Sequence, residues 1–142
     1  MSDLVVPSEE FDPSEDQNAK LLAALAYAGP FLSGLPLFLI PMIMKNDPFS
    51  LQHSKHGAEI FAMNLILGVL VIPVFIVLFI GSLFCAIGFI LVPVIVLVVL
   101  ALVFTPTIHG IILAFQGQNR APILTFGLGE KYLAGVQMDP KP

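Results

Sequence analysis

The sequence is poor in what a water-soluble domain needs on its surface. Charged residues make up 11% of the 142 residues, against about 25% in a soluble domain, too few to cover a water-exposed surface. Lys and Arg number only six and the formal net charge is −4, so the basic footprint of a nucleic-acid binder is missing. Cys85 is the single cysteine; it cannot form an intramolecular disulfide and reads as a small buried hydrophobe in an apolar run. Trp is absent and Tyr occurs twice, which leaves no aromatic belt of the usual membrane kind. There is no Gly-rich phosphate loop, no G-x-S-x-G elbow and no suggestive Ser/His/Asp arrangement. Glu59 is the only acid between Asp47 and Glu130, so the paired intramembrane carboxylates of a proton-coupled transporter are missing too. The N-terminal region is acidic where a cleavable signal peptide is basic, Ser2 replaces the glycine that myristoylation needs, and no C-terminal prenylation cysteine occurs.

What is present is hydrocarbon, at 57% hydrophobic residues and a mean hydropathy of +0.95. It predicts an all-α integral membrane helical bundle with three apolar segments, at about 20–44, 58–81 and 85–115. The first segment carries Gly29-Pro30, Ser33-Gly34, Pro36 and Pro41. Each proline removes a backbone donor and crowds the preceding turn, so this segment is either a kinked span or a re-entrant pair of half-helices. Gly81-Ser82 is the expected tight turn between the second and third segments. Pro93 and Pro106 are kink candidates in the third, where Pro106 should free the Leu102 carbonyl for rescue by a nearby hydroxyl.

The two ends differ from this body. Residues 1–19 hold Asp3, Glu9, Glu10, Asp12, Glu15 and Asp16 with two prolines and read as a disordered acidic tail. Residues 122–142 place Leu124, Leu128, Tyr132 and Val136 at a four-residue interval, as in an interfacial amphipathic segment; Gly127, Gly129 and Gly135 weaken the helix.

Between the first two apolar segments lies a polar hinge, Lys45–Asn64. Asp47-Pro48 has the form of a helix start, a capping carboxylate followed by proline at the first helical position. Phe49, His53, His56, Ile60 and Asn64 then recur at spacings of three and four, on one helix stripe. His53, His56 and Glu59 make H-x-x-H-x-x-E, a geometry open to metal ligation, though no fourth ligand is evident. The plainer expectation is that they are headgroup-level polar residues at a span entrance, with no metal or other cofactor. His109 falls roughly 10 Å inside the end of the third segment, a functional candidate by depth or a structural histidine bonded to a carbonyl or to Asn64. Arg120 closes the segment. Ala24/Ala28, Ala58/Ala62 and Gly110/Ala114 are small-xxx-small pairs that permit close helix approach.

The order of short motifs resembles a known family. It runs K-N-D-P-F, then F-x-x-x-H at Phe49 and His53, A-x-x-G at Ala114 and Gly117, R-A-P-I-L-T at Arg120–Thr125, and E-K-Y at Glu130–Tyr132. Together with Y-A-G-P-F-L-S-G-L-P at Tyr27–Pro36, it is similar to the small bacterial membrane proteins related to the channel-type subunit of the chloroplast inner-envelope protein translocon. The resemblance implies a multispanning fold and a link to translocation, but the first segment is too short for the two full spans of a four-span topology.

The expected function is therefore a non-enzymatic, membrane-embedded interaction or protein-translocation-related component. A small oligomeric channel or transporter is the alternative, and a metal-dependent intramembrane enzyme the third. The expected partners are the lipid bilayer and a membrane protein or a second copy of the chain. Lys45, Lys55, Arg120, Lys131 and Lys141 place the hinge and C-terminus in the cytoplasm of a bacterial inner membrane by the positive-inside rule. A kinked first segment puts the N-terminus outside, and a re-entrant one puts it inside.

Overall fold

A computed structural model describes residues 16–32, 34–45, 47–84 and 87–137. Every regular element among them is helical: α1 (Gln17–Leu25), a 3-10 turn (Gly29–Phe31), α2 (Leu39–Met44), α3 (Pro48–Phe84), α4 (Ile87–Phe115) and α5 (Leu128–Tyr132). The all-α expectation holds for these residues. Residues 1–15 of the acidic tail lie outside them, as do Cys85 and Ala86. The tail boundary moves, because Asp16 accepts a hydrogen bond from the Asn18 N–H at 2.8 Å and starts α1 at Gln17.

α3 and α4 dominate. α3 begins where Asp47-Pro48 predicts: Oδ1 of Asp47 accepts from the Ser50 N–H and Oδ2 from the Ser50 hydroxyl, both at 2.6 Å. That satisfies an otherwise orphan donor of the first turn. With 37 and 29 residues, α3 and α4 are about 55 and 43 Å long, and the hydrocarbon of a bilayer is about 30 Å thick. Each contains a window of mean hydropathy 2.9, so both are long and apolar enough to cross a membrane. Phe49 packs with Ala114, while Asn64 lies level with Leu102 and Val103; the two helices therefore run antiparallel.

The turn expected at Gly81-Ser82 is displaced. α3 continues through Phe84 and α4 starts at Ile87. Ser82 returns its hydroxyl to the Phe79 carbonyl at 2.7 Å, so it is satisfied inside the helix and need not break it. Pro73, Pro93 and Pro106 are all contained within helices. Near Pro106 the hydroxyl bond is from Thr107 to the Val103 carbonyl, at 2.9 Å; among the described residues no hydroxyl bonds to the Leu102 carbonyl.

The first apolar segment contains no spanning helix, so two helices of the described chain, and not three, meet the length of a membrane crossing. Its prolines and glycines divide it into α1, the 3-10 turn and α2, and its path doubles back. Ala19, Ala23 and Ala24 of α1 pack at the level of Phe49 and Ala114. Phe31 then reaches Phe104, and Pro30 and Gly34 reach Asn64 and Val103. Phe38 has come back to Phe61 and Gly57, and the chain closes the excursion at Asp47. The segment is therefore a folded-back pair of short helices and contains no single long helix. The turn is tight at Gly29, where a Cβ would stand 2.4 Å from the Leu35 carbonyl oxygen.

The C-terminal stripe is not a continuous amphipathic helix either. Leu124 has a positive φ of 68° and Gly127 one of 70°, which confines the helix to the five residues of α5. Tyr132 and Leu124 are exposed, and it is Gly129 that packs against α3.

Candidate functional site

The polar stripe of α3 is inside the protein. Phe49, His53, His56, Glu59 and Ile60 are all buried, with His53 at 0%, His56 at 1% and Glu59 at 5% exposure. The two histidines and Glu59 are thus covered by other parts of the chain. Short neighbours cover them: α1 with the Tyr27 turn, the end of α4, and the segment running from Gln116 through α5. Small residues make that cover possible. A Cβ on Gly110 would lie 2.6 Å from the Tyr27 ring, one on Gly57 would lie 2.6 Å from the Ala26 oxygen, and one on Gly129 would strike the Lys55 carbonyl oxygen. The Gly110/Ala114 pair therefore serves packing within the chain, with Ala114 fully buried against α1.

Tyr27 and His53 form the centre. The Tyr27 hydroxyl is 2.8 Å from His53 Nδ1, and their rings meet edge to face at 5.7 Å between centroids. The Phe49 ring meets His53 one turn away, tilted by 58° with centroids 4.5 Å apart, which accounts physically for the F-x-x-x-H spacing. His53 and His56 are themselves edge to face at 6.5 Å. Neither nitrogen of His56 makes a hydrogen bond of normal geometry. Its Nε2 stands 3.3 Å from Oε1 of Glu130 on α5, an ion pair when the imidazole is charged.

Glu59 uses both oxygens on the C-terminal segment. Oε1 accepts from the Phe126 N–H at 2.5 Å and Oε2 from the Gly129 N–H at 3.1 Å. A buried carboxylate that receives two backbone donors is satisfied without a cation. Further contacts fasten the same segment: Gln52 donates to Glu130 at 2.9 Å, Asn119 donates to the Gln52 carbonyl oxygen, and the Ile123 N–H donates to His109 Nδ1 at 3.1 Å.

The residues singled out by sequence thus divide. Phe49, His53, His56 and Glu59 come together, and His109 joins them through the segment after α4. Its partner is a backbone N–H, neither the expected carbonyl nor Asn64. Asn64 sits deeper and half-buried, on the wall shared by two open apolar cavities of about 330 and 340 Å³. Arg120 is exposed and stands apart from the cluster. Tyr27, Gln52, Asn119 and Glu130 belong to the site and were not singled out; Tyr27 and Glu130 stood only within the motifs of the resemblance. No group of three His, Cys, Asp or Glu side chains converges as a metal site would require among the described residues. With Nδ1 of His53 bonded to Tyr27 and Glu59 holding amides, the H-x-x-H-x-x-E stripe serves packing and clamping. Comparison with protein-family models, curated proteins and solved structures gives no match.

Proposed function

We propose that this chain is an integral membrane protein with a non-enzymatic role, a two-crossing hairpin whose packed polar end serves interaction with other membrane components. One observation carries the reading: exposure is inverted along the same two helices. Leu65–Ile80 of α3 and Phe89–Leu102 of α4 leave large apolar side chains bare, including Val77 at 69%, Phe89 at 72% and Leu97 at 67% exposure. His53, His56 and Glu59 on α3 are meanwhile enclosed. In water that arrangement is unfavourable, at roughly 25 cal/mol for each Å² of apolar surface left wet; in a bilayer it is the stable one.

In this reading the first apolar segment enters and leaves on the side of the polar end, so the N-terminus of α1, the hinge and the C-terminal segment share a side. Lys20, Lys45, Lys55, Arg120 and Lys131 then fall on that side, whereas the connection between α3 and α4 contains no charged residue from Gly81 to Gly88. The positive-inside rule makes the polar end cytoplasmic in a bacterial inner membrane. The resemblance to the translocon-related family adds protein translocation as the process such a component would serve.

Two experiments test this. In a Cys85→Ser background, cysteines at Asn18 and Tyr132 should react with an impermeant thiol reagent from the cytoplasmic side, and one at Gly81 from the opposite side. Labelling of Asn18 and Tyr132 from opposite faces would end the re-entrant topology. For the interaction role, mild solubilisation should retain a defined protein partner. Recovery of the lipid-embedded chain alone at every detergent strength counts against it.

A further inference from the structure

Asn64 stands where the packed end of the hairpin gives way to bare hydrocarbon. Its carboxamide offers two N–H donors and an acceptor oxygen. Among the described residues its side chain makes no hydrogen bond. Beyond it, Leu65 to Phe84 are twenty residues with Ser82 as their only polar side chain. They rise about 30 Å, which matches the hydrocarbon thickness of about 30 Å. In the membrane reading above, on which this inference rests, Asn64 therefore lies at the edge of the hydrocarbon nearer the polar end. That is the level of the glycerol esters of a phospholipid.

A furrow of about 340 Å³ starts at this carboxamide. It follows α3 through Leu67 to Leu70, about 9 Å along the helix axis, with Leu102 of α4 as its other wall. Leu124 and Phe126 reach it from the polar end, where the Phe126 N–H is bonded to Glu59. Asn64 is the only polar side chain lining it among the described residues. Ile66, Leu70 and Leu102 are exposed, so the furrow opens sideways onto the bare apolar faces of α3 and α4. We propose that it holds one acyl chain of a membrane phospholipid, whose ester carbonyl accepts a hydrogen bond from the Asn64 carboxamide. The furrow runs along α3, the direction an acyl chain takes in a bilayer, and the donor stands at its ester end. A water there would meet one polar side chain where it needs two to four partners. A partner helix, about 10 Å across, is too wide for a furrow of this size with Leu124 and Phe126 at its polar end. An acyl chain touches α3, α4 and the C-terminal segment at once, and so ties the deepest part of that segment to the hairpin.

The test is lipid retention. The full chain is reconstituted in vesicles of palmitoyl-oleoyl phosphatidylethanolamine and phosphatidylglycerol, re-extracted in a mild detergent and washed. Bound molecules are then identified and counted by native mass spectrometry. A phospholipid should stay with the chain. Asn64→Leu should lower its occupancy about fivefold, the weight of one hydrogen bond. Leu67→Trp, which fills the furrow, should abolish retention, while Leu97→Trp on the bare face of α4 should leave it unchanged. Dialkyl ether analogues of the same lipids have no ester carbonyl, so the unsubstituted chain should hold them as weakly as Asn64→Leu holds the esters. That arm needs no variant to fold. Retention of no lipid, or of an unesterified fatty acid instead, overturns the proposal. So does equal retention by Asn64→Leu and the unsubstituted chain, or of ester and ether lipids. A hairpin that passes the cysteine-labelling test and keeps no phospholipid fails this inference alone, whereas labelling from opposite faces fails the topology beneath it.

Discussion

The two halves of the α3–α4 hairpin have the same helical backbone and opposite side-chain economies. In the half that holds Phe49, His53, His56, Glu59, Thr107 and Ala114, polar and apolar groups alike are buried; Tyr27, Asp47 and Glu59 are hydrogen-bonded, while His53 Nε2 and both nitrogens of His56 are not. In the half that holds Val69–Ile80 and Phe89–Leu97, the apolar side chains are exposed or at most half-buried. Packing within the chain therefore stabilises one half. The other has far less packing within the chain, and a substitution should be felt very differently in each.

That contrast is broken most severely at Phe49, which closes the α1–α3–α4 cluster and packs its ring against His53. Phe49→Ala should cost about 3–5 kcal/mol, read as a large drop in the thermal midpoint in a fixed detergent. A midpoint within a degree of wild type would show that the packed half is not a true core. Next comes Gly110→Ala, whose added methyl meets the buried Tyr27 ring. We expect a loss of about 1–3 kcal/mol from overpacking, with Gly68→Ala, which meets open space, as the harmless control. Equal effects at the two glycines would deny the close approach of the Tyr27 turn. Tyr27→Phe removes a buried hydroxyl partner from His53 and should cost roughly 1–2 kcal/mol; denaturation that is insensitive to this change would remove the Tyr27–His53 bond from the account. Leu97→Ala marks the opposite end of the scale. Its side chain touches little of the protein, so stability should change by less than about 0.5 kcal/mol, and a loss of several times that would reveal an unseen packing partner.

Much of the architecture was legible along the chain. Asp47-Pro48 announced the start of α3, and the three-and-four spacing from Phe49 to Ile60 put those residues on one face, because capping chemistry and helical periodicity are local. The two long apolar helices were equally plain from hydropathy. The turn between them was less so: Gly81-Ser82 reads as a break only if the serine hydroxyl lacks a partner, and the helix supplies one at the Phe79 carbonyl. The count of crossings also changed, since the prolines and glycines between residues 29 and 41 show that a helix is interrupted but not where the chain goes next. The direction of that path is set by Phe31 on Phe104 and Phe38 on Phe61, contacts between residues distant in sequence.

The candidate site was legible in its residue types and not in its wiring. Glu59 looked like a headgroup-level polar residue or a metal ligand; it is a clamp because the backbone at Phe126 and Gly129, about 70 positions away, comes to it. His109 looked like a functional candidate by depth or a histidine bonded to a carbonyl or to Asn64; its partner is the Ile123 N–H of the chain that folds back after α4.

By itself the sequence determined composition, helix boundaries set by caps, the apolar faces and two stretches long and apolar enough to cross a membrane. All of these follow from local propensity and hydropathy, which act residue by residue. Only the tertiary structure decided that the first apolar segment turns back, that the histidines are enclosed and that the C-terminal segment is strapped to Glu59 and His109. Those outcomes depend on which distant backbone donors reach which buried acceptors, and on whether Gly57, Gly110 and Gly129 leave the space for them to do so.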